Sequence, residues 1–312
     1  MAPRHRVPIL LAPMNAPTGA ARFAPHLLML AMIAIWGGSY AAVKIALGSL
    51  SPFVVIALRF WIAVPCMLPF LRGPVLADLR RSAGPGIAAG LVLALGYLLQ
   101  TVGMNETSAS MGGFLAGLIV LLVAVGGFVM FRAKFGKHSV IGLLLGLCGL
   151  VTLCWPGADP VDGARDTTRG ILLQVASSTS YAGHILMLSR YGRTMPAMAF
   201  CLWQLLVVAI AASIAVAIHG GWAAENVAQV AWTPQLVFVI AYLGLLATAL
   251  GIGVQTSVQH KVPPTHLALL FAMQPLFAAL IGWASLGDQL GSMQMLGGAV
   301  IVTGVIVTSL DR

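Results

Sequence analysis

The sequence predicts an all-α membrane protein with ten transmembrane helices, arranged as two inverted five-helix repeats, and with both termini cytoplasmic. Three observations predict this. The chain has 312 residues, of which 59% are hydrophobic and only 8% charged, against roughly 25% charged in an average soluble domain. Seventeen Lys and Arg with eight Asp and Glu cannot clothe a globular surface of this size in water-compatible side chains. The basic residues gather in alternate loops, and the second half of the chain repeats features of the first.

A helix needs about 20 apolar residues to cross the hydrocarbon core. Reading from one charged or turn-rich cluster to the next gives the runs 27–47, 52–71, 85–104, 110–131 and 139–156 in the first half. In the second half it gives 170–188, 195–218, 234–258, 264–285 and 289–309. Residues 1–26 come before the first run. They are Pro-rich and carry Arg4, Arg6 and Arg22, which suits a cytoplasmic tail better than a signal peptide. The first repeat is expected at 27–156, an outer linker at 157–169 and the second repeat at 170–310. Pro52, Pro85, Pro196, Pro234 and Pro264 stand at predicted helix starts, where a missing N–H is harmless. The runs are long and continuous, so barrel strands of alternating pattern are excluded.

Orientation follows from the positive charges. With the N-terminus inside, the cytoplasmic segments hold Arg4, Arg6, Arg22, Arg72, Arg80, Arg81, Arg132, Lys134 and Lys137. They also hold Arg190, Arg193, Lys261 and Arg312, so thirteen of the seventeen positives are inside. Outer loops hold only Arg165 and Arg169, while Lys44 and Arg59 fall within spans. This is a strong positive-inside bias. The acids lean outward: Glu106, Asp159, Asp162, Asp166, Glu225 and Asp288 are outside, with Asp78 and Asp311 inside. The net charge of +9 is thus a topological signal. Nucleic acid is not an expected partner, because no clustered basic face exists.

Shifting the chain on itself by 155 residues aligns Ala94-Leu95-Gly96 and Gln100-Thr101 with Ala249-Leu250-Gly251 and Gln255-Thr256. The same offset carries Gly127, Gly136, Gly142 and Gly149 onto Gly282, Gly291, Gly297 and Gly304. At a slightly smaller offset, Ser39-Tyr40-Ala41 falls on Ser180-Tyr181-Ala182. Five spans per copy is an odd number, so the second copy sits upside down in the bilayer. Inverted repeats of this kind are a transporter architecture, with the site between the halves near the midplane.

The chain resembles the EamA type of the drug/metabolite transporter superfamily across nearly all of residues 27–310. In the first half the resemblance rests on Trp36-Gly37-Gly38-Ser39 with Lys44, then Pro52 and Leu58-Arg59-Phe60. In the second half it rests on Pro264, Ala268, Pro275, Leu286-Gly287-Asp288, Gly297 and Gly304. The family usually has Glu where Asp288 stands, and the first half shows Arg132-Ala133-Lys134 in place of an acidic turn. Within the superfamily, the chain is similar to bacterial aromatic amino-acid exporters of the YddG type. The resemblance implies a multi-pass protein of the bacterial inner membrane that exports a small metabolite.

Polar groups inside a bilayer are costly and mark candidate pathways. Trp36, Tyr40 and Lys44 are spaced i, i+4, i+8 and share one helical face. They offer aromatic walls and a cation for a carboxylate, although Lys44 can equally snorkel to the headgroups. Gln174, Ser177, Tyr181 and His184 form the answering stripe in the second half. Tyr97, Gln100 and Thr101 match Gln255 and Thr256; such amides read charged groups or hold helices together. Trp203, His266 and Gln274 complete the candidate lining. Pro275 removes one ladder bond mid-span and marks a gate or a bend. Arg59, roughly 10 Å inside its span at 1.5 Å per residue, reads slightly better as a structural anchor than as a substrate contact. Gly86/Gly90, Gly113/Gly117 and Gly142/Gly146 are small-xxx-small pairs that suit close helix packing.

Absences narrow the mechanism. No GxxxxGK[ST] occurs, so ATP is not the direct drive. No Asp or Glu falls within a predicted span, so a carboxylate proton relay has no obvious member. Coupling then uses His184 or His266, whose side chains titrate near neutrality, or the protein is a facilitator, the reading favoured here. Cys66, Cys148, Cys154 and Cys201 lie singly in apolar runs, with no metal-ligand spacing. No metal and no cofactor are expected. A secondary transporter of an amphiphilic metabolite, best an amino acid including aromatic ones, fits these features. A channel or lipid scramblase is the alternative, and an intramembrane enzyme built on Ser39 with His184 or His266 has little support. The expected partners are the small-molecule substrate and the lipid bilayer.

Overall fold

A computed structural model describes residues 23–107, 112, 115–131, 136–153, 167–224, 227–286, 292–308 and 310. The predicted N-terminal tail to residue 22, most of the outer linker, Gly113, Arg132-Ala133-Lys134, Cys154 and Gly287-Asp288 lie outside the described residues. All regular structure among those described is helical. In chain order it comprises α1 (Ala24–Leu47), α2 (Pro52–Met67), α3 (Val75–Asn105), α4 (Leu118–Phe131) and α5 (Lys137–Leu153). The second half contributes α6 (Thr168–Tyr191), α7 (Ala197–Ile218), α8 (Pro234–Lys261), α9 (Pro264–Ala272), α10 (Gln274–Leu286) and α11 (Ser292–Thr308).

Among the described residues, six helical stretches are long and apolar enough to cross a membrane: α1, α2 with its 3-10 extension to Phe70, α3, α6, α7 and α8. Shorter apolar stretches lie in α4, α5, α11 and across the α9–α10 junction. Phe128, Leu144, Leu172 and Phe238 are exposed on the exterior. Arg59, Gln174, His184, Gln204 and Gln259 are buried inside. That inside-polar, outside-apolar distribution is the one a lipid solvent selects. The protein is an all-helical membrane protein.

Local chemistry explains the helix starts. Pro52, Pro234 and Pro264 open α2, α8 and α9, and Ser51, Thr167 and Thr233 accept the amides of Val54, Gly170 and Leu236 as N-caps. Pro85 departs from its expected place, because it lies inside α3, which begins ten residues earlier at Val75. The segment Leu76–Arg81 is rich in helix formers, with Asp78 in the first turn, where a carboxylate is favoured. The ladder bond that Pro85 forfeits belongs to the carbonyl of Arg81, an exposed residue that water can satisfy. The predicted run 264–285 is broken at Met273, two residues before Pro275, whose missing amide removes one ladder bond there.

The helices pack in exchange-related pairs. α3 packs on α6 and α7, while α8 packs on α1 and α2. α2 packs on α7, and α5 on α11. α1 packs on α10, and α4 on α6. Glycine makes the α5–α11 contact close. A Cβ on Gly149 would stand 2.8 Å from the Gly297 carbonyl oxygen, and one on Gly304 would stand 2.7 Å from the Gly142 carbonyl oxygen. The two contacts are reciprocal, since Gly142 and Gly149 are the repeat mates of Gly297 and Gly304. Gly86 and Gly90 likewise admit Trp203 and Val207 of α7, at 2.6 and 2.8 Å from their would-be Cβ atoms.

α8 contains a π-helical segment, Tyr242–Leu250. π segments leave backbone carbonyls out of the usual ladder and mark functional sites. Here side chains take those positions. The Trp36 indole N–H donates to the Ala247 carbonyl at 2.7 Å, and the Thr248 hydroxyl donates to the Leu243 carbonyl at 2.6 Å.

Candidate functional site

A cleft enclosing about 670 Å³ of empty space, counting its mouth, lies between the two halves. Its walls come from α1, α2, α3, α4, α6, α8, α9 and α10. Of the residues expected at a pathway, Trp36, Tyr40, Tyr97, Gln100, Tyr181, His184, Gln255 and Gln274 line it. Segments far apart in sequence thus converge, because the polar faces of α1, α3, α6 and α8 all turn inward.

At the centre, two repeat-related tyrosines share one amide. Gln100 donates through Nε2 to the Tyr40 hydroxyl at 3.3 Å, and Tyr181 donates its hydroxyl to Gln100 Oε1 at 3.0 Å. Gln174 fixes the backbone beneath them by donating to the Gln100 carbonyl at 3.2 Å. Ser177 donates to the Gly96 carbonyl at 3.0 Å, which ties α6 to α3. The remaining walls are aromatic. Trp36 stacks on Phe271 with centroids 6.0 Å apart, and Tyr97 meets Tyr181 edge-on at 5.5 Å.

Arg59 makes an anchoring contact and also brings a charge to the cleft wall. Its Nε donates to Thr248 Oγ1 at 2.8 Å, the contact an anchor requires. Its guanidinium carbon also lies 4.8 Å from the Tyr97 ring centroid, and the side chain lines the cleft. Arg59 is 3% exposed and makes no ion pair with any described residue. The described ion pair is Arg169 with Glu106, which caps the C-terminal end of α3. Among the described lining residues, Arg59 alone carries a fixed charge. A buried cation without an anion is costly.

His184 also lines the cleft. Its Nε2 is 2.7 Å from Gln204 Oε1, and the Gln204 amide nitrogen donates to the Phe200 carbonyl at 3.0 Å. That second bond orients the Gln204 oxygen toward the imidazole, so Nε2 carries the proton. Gln255 donates to Gln259 at 2.7 Å, and Gln259 donates to the Ile185 carbonyl at 2.6 Å. This relay closes α8 onto α6 below the cleft.

Three expected residues are not brought to the cleft. Lys44 lies in the last turn of α1 and is half-buried; it shares a face with Tyr40 but is not among the lining residues, which on α1 end at Val43. The Trp203 indole donates to the Leu79 carbonyl at 2.9 Å and packs against Gly86, so it joins α7 to α3. His266 meets His26 of α1 at 3.3 Å between ring nitrogens. Ser39, weighed above only as an enzyme nucleophile, also lines the cleft, as do Val43, Met104, Ile119, Ile185 and Phe271. Ser39 was legible as the repeat mate of Ser180; the aliphatic residues carried no signal in so apolar a chain.

Proteins similar to this chain in sequence are named as transporters. An archaeal relative, an uncharacterised transporter of Archaeoglobus fulgidus, is 28% identical, covering 91% of this chain and 85% of its own length. A probable amino-acid metabolite efflux pump of Escherichia coli is 25% identical over 90% of this chain and 93% of its own. An uncharacterised inner membrane transporter of Escherichia coli, YedA, is also 25% identical over 91% of this chain and 90% of its own. A solved crystal structure shares the fold with a TM-score of 0.72, covering 92% of this chain and 96% of its own at 19% identity. The model of the EamA-like transporter family matches twice, at residues 24–155 and again at 168–310. The chain therefore belongs to the EamA-like transporter family.

Proposed function

We propose that this protein is a secondary transporter of the bacterial inner membrane that moves amino acids, aromatic ones included, without ATP. The work is done by alternating access between two inverted five-helix repeats, residues 27–156 and 170–310, joined by the outer linker 157–169, with both termini cytoplasmic. The two family matches, the exchange-related helix pairs and the reciprocal glycine contacts of α5 and α11 support the inverted pairing. The name of the Escherichia coli efflux pump supports the amino-acid class and the outward direction. The similarity to aromatic amino-acid exporters agrees with the ring-lined cleft.

The observation that carries the reading is Arg59, buried and without an anion among the described residues, facing a cleft walled by Trp36, Tyr40, Tyr97, Tyr181 and Phe271. An α-carboxylate bonds the guanidinium, as charge-assisted pairs do, and the substrate side chain lies among the rings. The amide of Gln100 holds Tyr40 and Tyr181 together at the junction of the halves, so occupancy and the relative position of the halves are linked through one residue. Pro275 and the break at Met273 give α9 and α10 freedom to tilt at the cleft wall.

The test is efflux from proteoliposomes screened across amino acids, with Tyr40→Ala as control. Aromatic amino acids run down their gradient through the wild-type protein, and Tyr40→Ala slows them. A pH gradient alone drives no accumulation by a facilitator. Flux of no amino acid above that of empty vesicles overturns the reading.

A further inference from the structure

Charge balance in the cleft has a consequence for the substrate class. A zwitterionic amino acid brings one negative and one positive group. The cleft meets the first with Arg59 and has no carboxylate for the second among its described lining residues. The available acceptors are neutral. Gln100 Oε1 already accepts from Tyr181. Gln255 and Ser39 make their bonds as donors, to Gln259 and to the Trp36 carbonyl, and so offer only uncharged oxygens to a cation. An ammonium entering this space gives up water without gaining an ion pair, and it adds a positive charge near Arg59. A monocarboxylate lacking the ammonium leaves the occupied site neutral.

We infer that the same cleft transports aromatic monocarboxylate anions that lack an α-ammonium, such as 2-oxo acids, and that the membrane potential drives their export. The inference rests on the carboxylate-site reading proposed above. Each cycle carries one net negative charge outward. The empty site holds +1 and the loaded site is neutral, so the difference per cycle is that of the anion alone. An inside-negative potential therefore expels the substrate with no coupling ion and no membrane carboxylate. At 100 mV the limiting outside-to-inside ratio is roughly 50-fold. A zwitterion moved by the same site is electroneutral and gains nothing from the potential.

The experiment uses the full-length protein in liposomes at constant pH 7.5, loaded with labelled phenylpyruvate or labelled L-phenylalanine. Valinomycin with a potassium gradient sets the potential, and protein-free vesicles report leak. The expected result is protein-dependent phenylpyruvate efflux that accelerates as the lumen becomes negative, while phenylalanine efflux does not respond. Arg59→Lys retains the voltage-driven flux in part and Arg59→Gln loses it. The wild-type voltage response stands whether or not that variant folds. Phenylalanine transport without phenylpyruvate transport overturns the inference and leaves the proposed function intact. Phenylpyruvate transport that ignores the potential overturns the electrogenic step. Failure of both substrates overturns the site reading itself.

Discussion

Replacing Arg59 with Met separates an anchor from a substrate contact, because the two roles predict opposite signs for stability. The variant loses the bond from Nε to Thr248, worth roughly 1.5–3 kcal/mol for a charged donor. It also loses the contact with the Tyr97 ring, worth about 0.5–2 kcal/mol. Against these stands relief of a buried, unpaired cation, whose effective desolvation penalty is on the order of several kcal/mol. Thr248 keeps the Leu243 carbonyl as its acceptor, so no buried hydroxyl is orphaned. The terms nearly cancel, and the melting temperature in detergent is expected to stay level or rise. Substrate affinity changes differently. Losing a charged bond to a carboxylate, about 1.5–3 kcal/mol, raises KM roughly 10- to 150-fold. Thermal denaturation with and without substrate, beside proteoliposome KM, reads both. A variant with a lowered melting temperature and unchanged KM refutes the reasoning and returns Arg59 to a structural role.

Gly304→Leu is expected to lower thermal stability by about 1–3 kcal/mol through overpacking, because its Cβ meets the backbone of α5 at Gly142 and Gly146; an unchanged melting temperature argues against the close α5–α11 contact. Trp36→Phe keeps the ring beside Phe271 but strands the Ala247 carbonyl in the π segment. A loss of about 1 kcal/mol in stability is expected, with slowed flux. Lys44→Ala leaves KM unchanged, since Lys44 is outside the cleft; a raised KM puts it back in the pathway. Arg169→Gln breaks the ion pair with Glu106, but Arg169 is 72% exposed, so detergent melting is expected to register at most about 1 kcal/mol.

The sequence showed where helix lies and which faces turn inward better than it showed depth. Tyr40 and Tyr181 were marked by repeat symmetry, and Gln100 by its match to Gln255; all three meet in the cleft. Lys44 shares their stripe, yet periodicity fixes only a direction around the helix axis. The end of the lining along that axis depends on the neighbouring helices. Trp203 and His266 point inward by the same rule, but each finds a partner on an adjacent helix before reaching the cleft. Pro85 misled because a proline signals a helix start only where no helix already precedes it. The π segment had no legible sign, since it depends on donors from Trp36, more than 200 residues earlier in the chain. Arg59 was visible as a membrane cation, while its lack of an anion among the described residues was a property of the assembled fold.

The central claim is that substrate binds at the junction of the halves, between Arg59 and the tyrosines held by Gln100. Counterflow of labelled L-phenylalanine in proteoliposomes tests it most directly. The account predicts a transient overshoot in vesicles preloaded with unlabelled phenylalanine, lost in Arg59→Met protein that still melts cooperatively. An overshoot of equal size in that variant, or none in the wild-type protein, contradicts it.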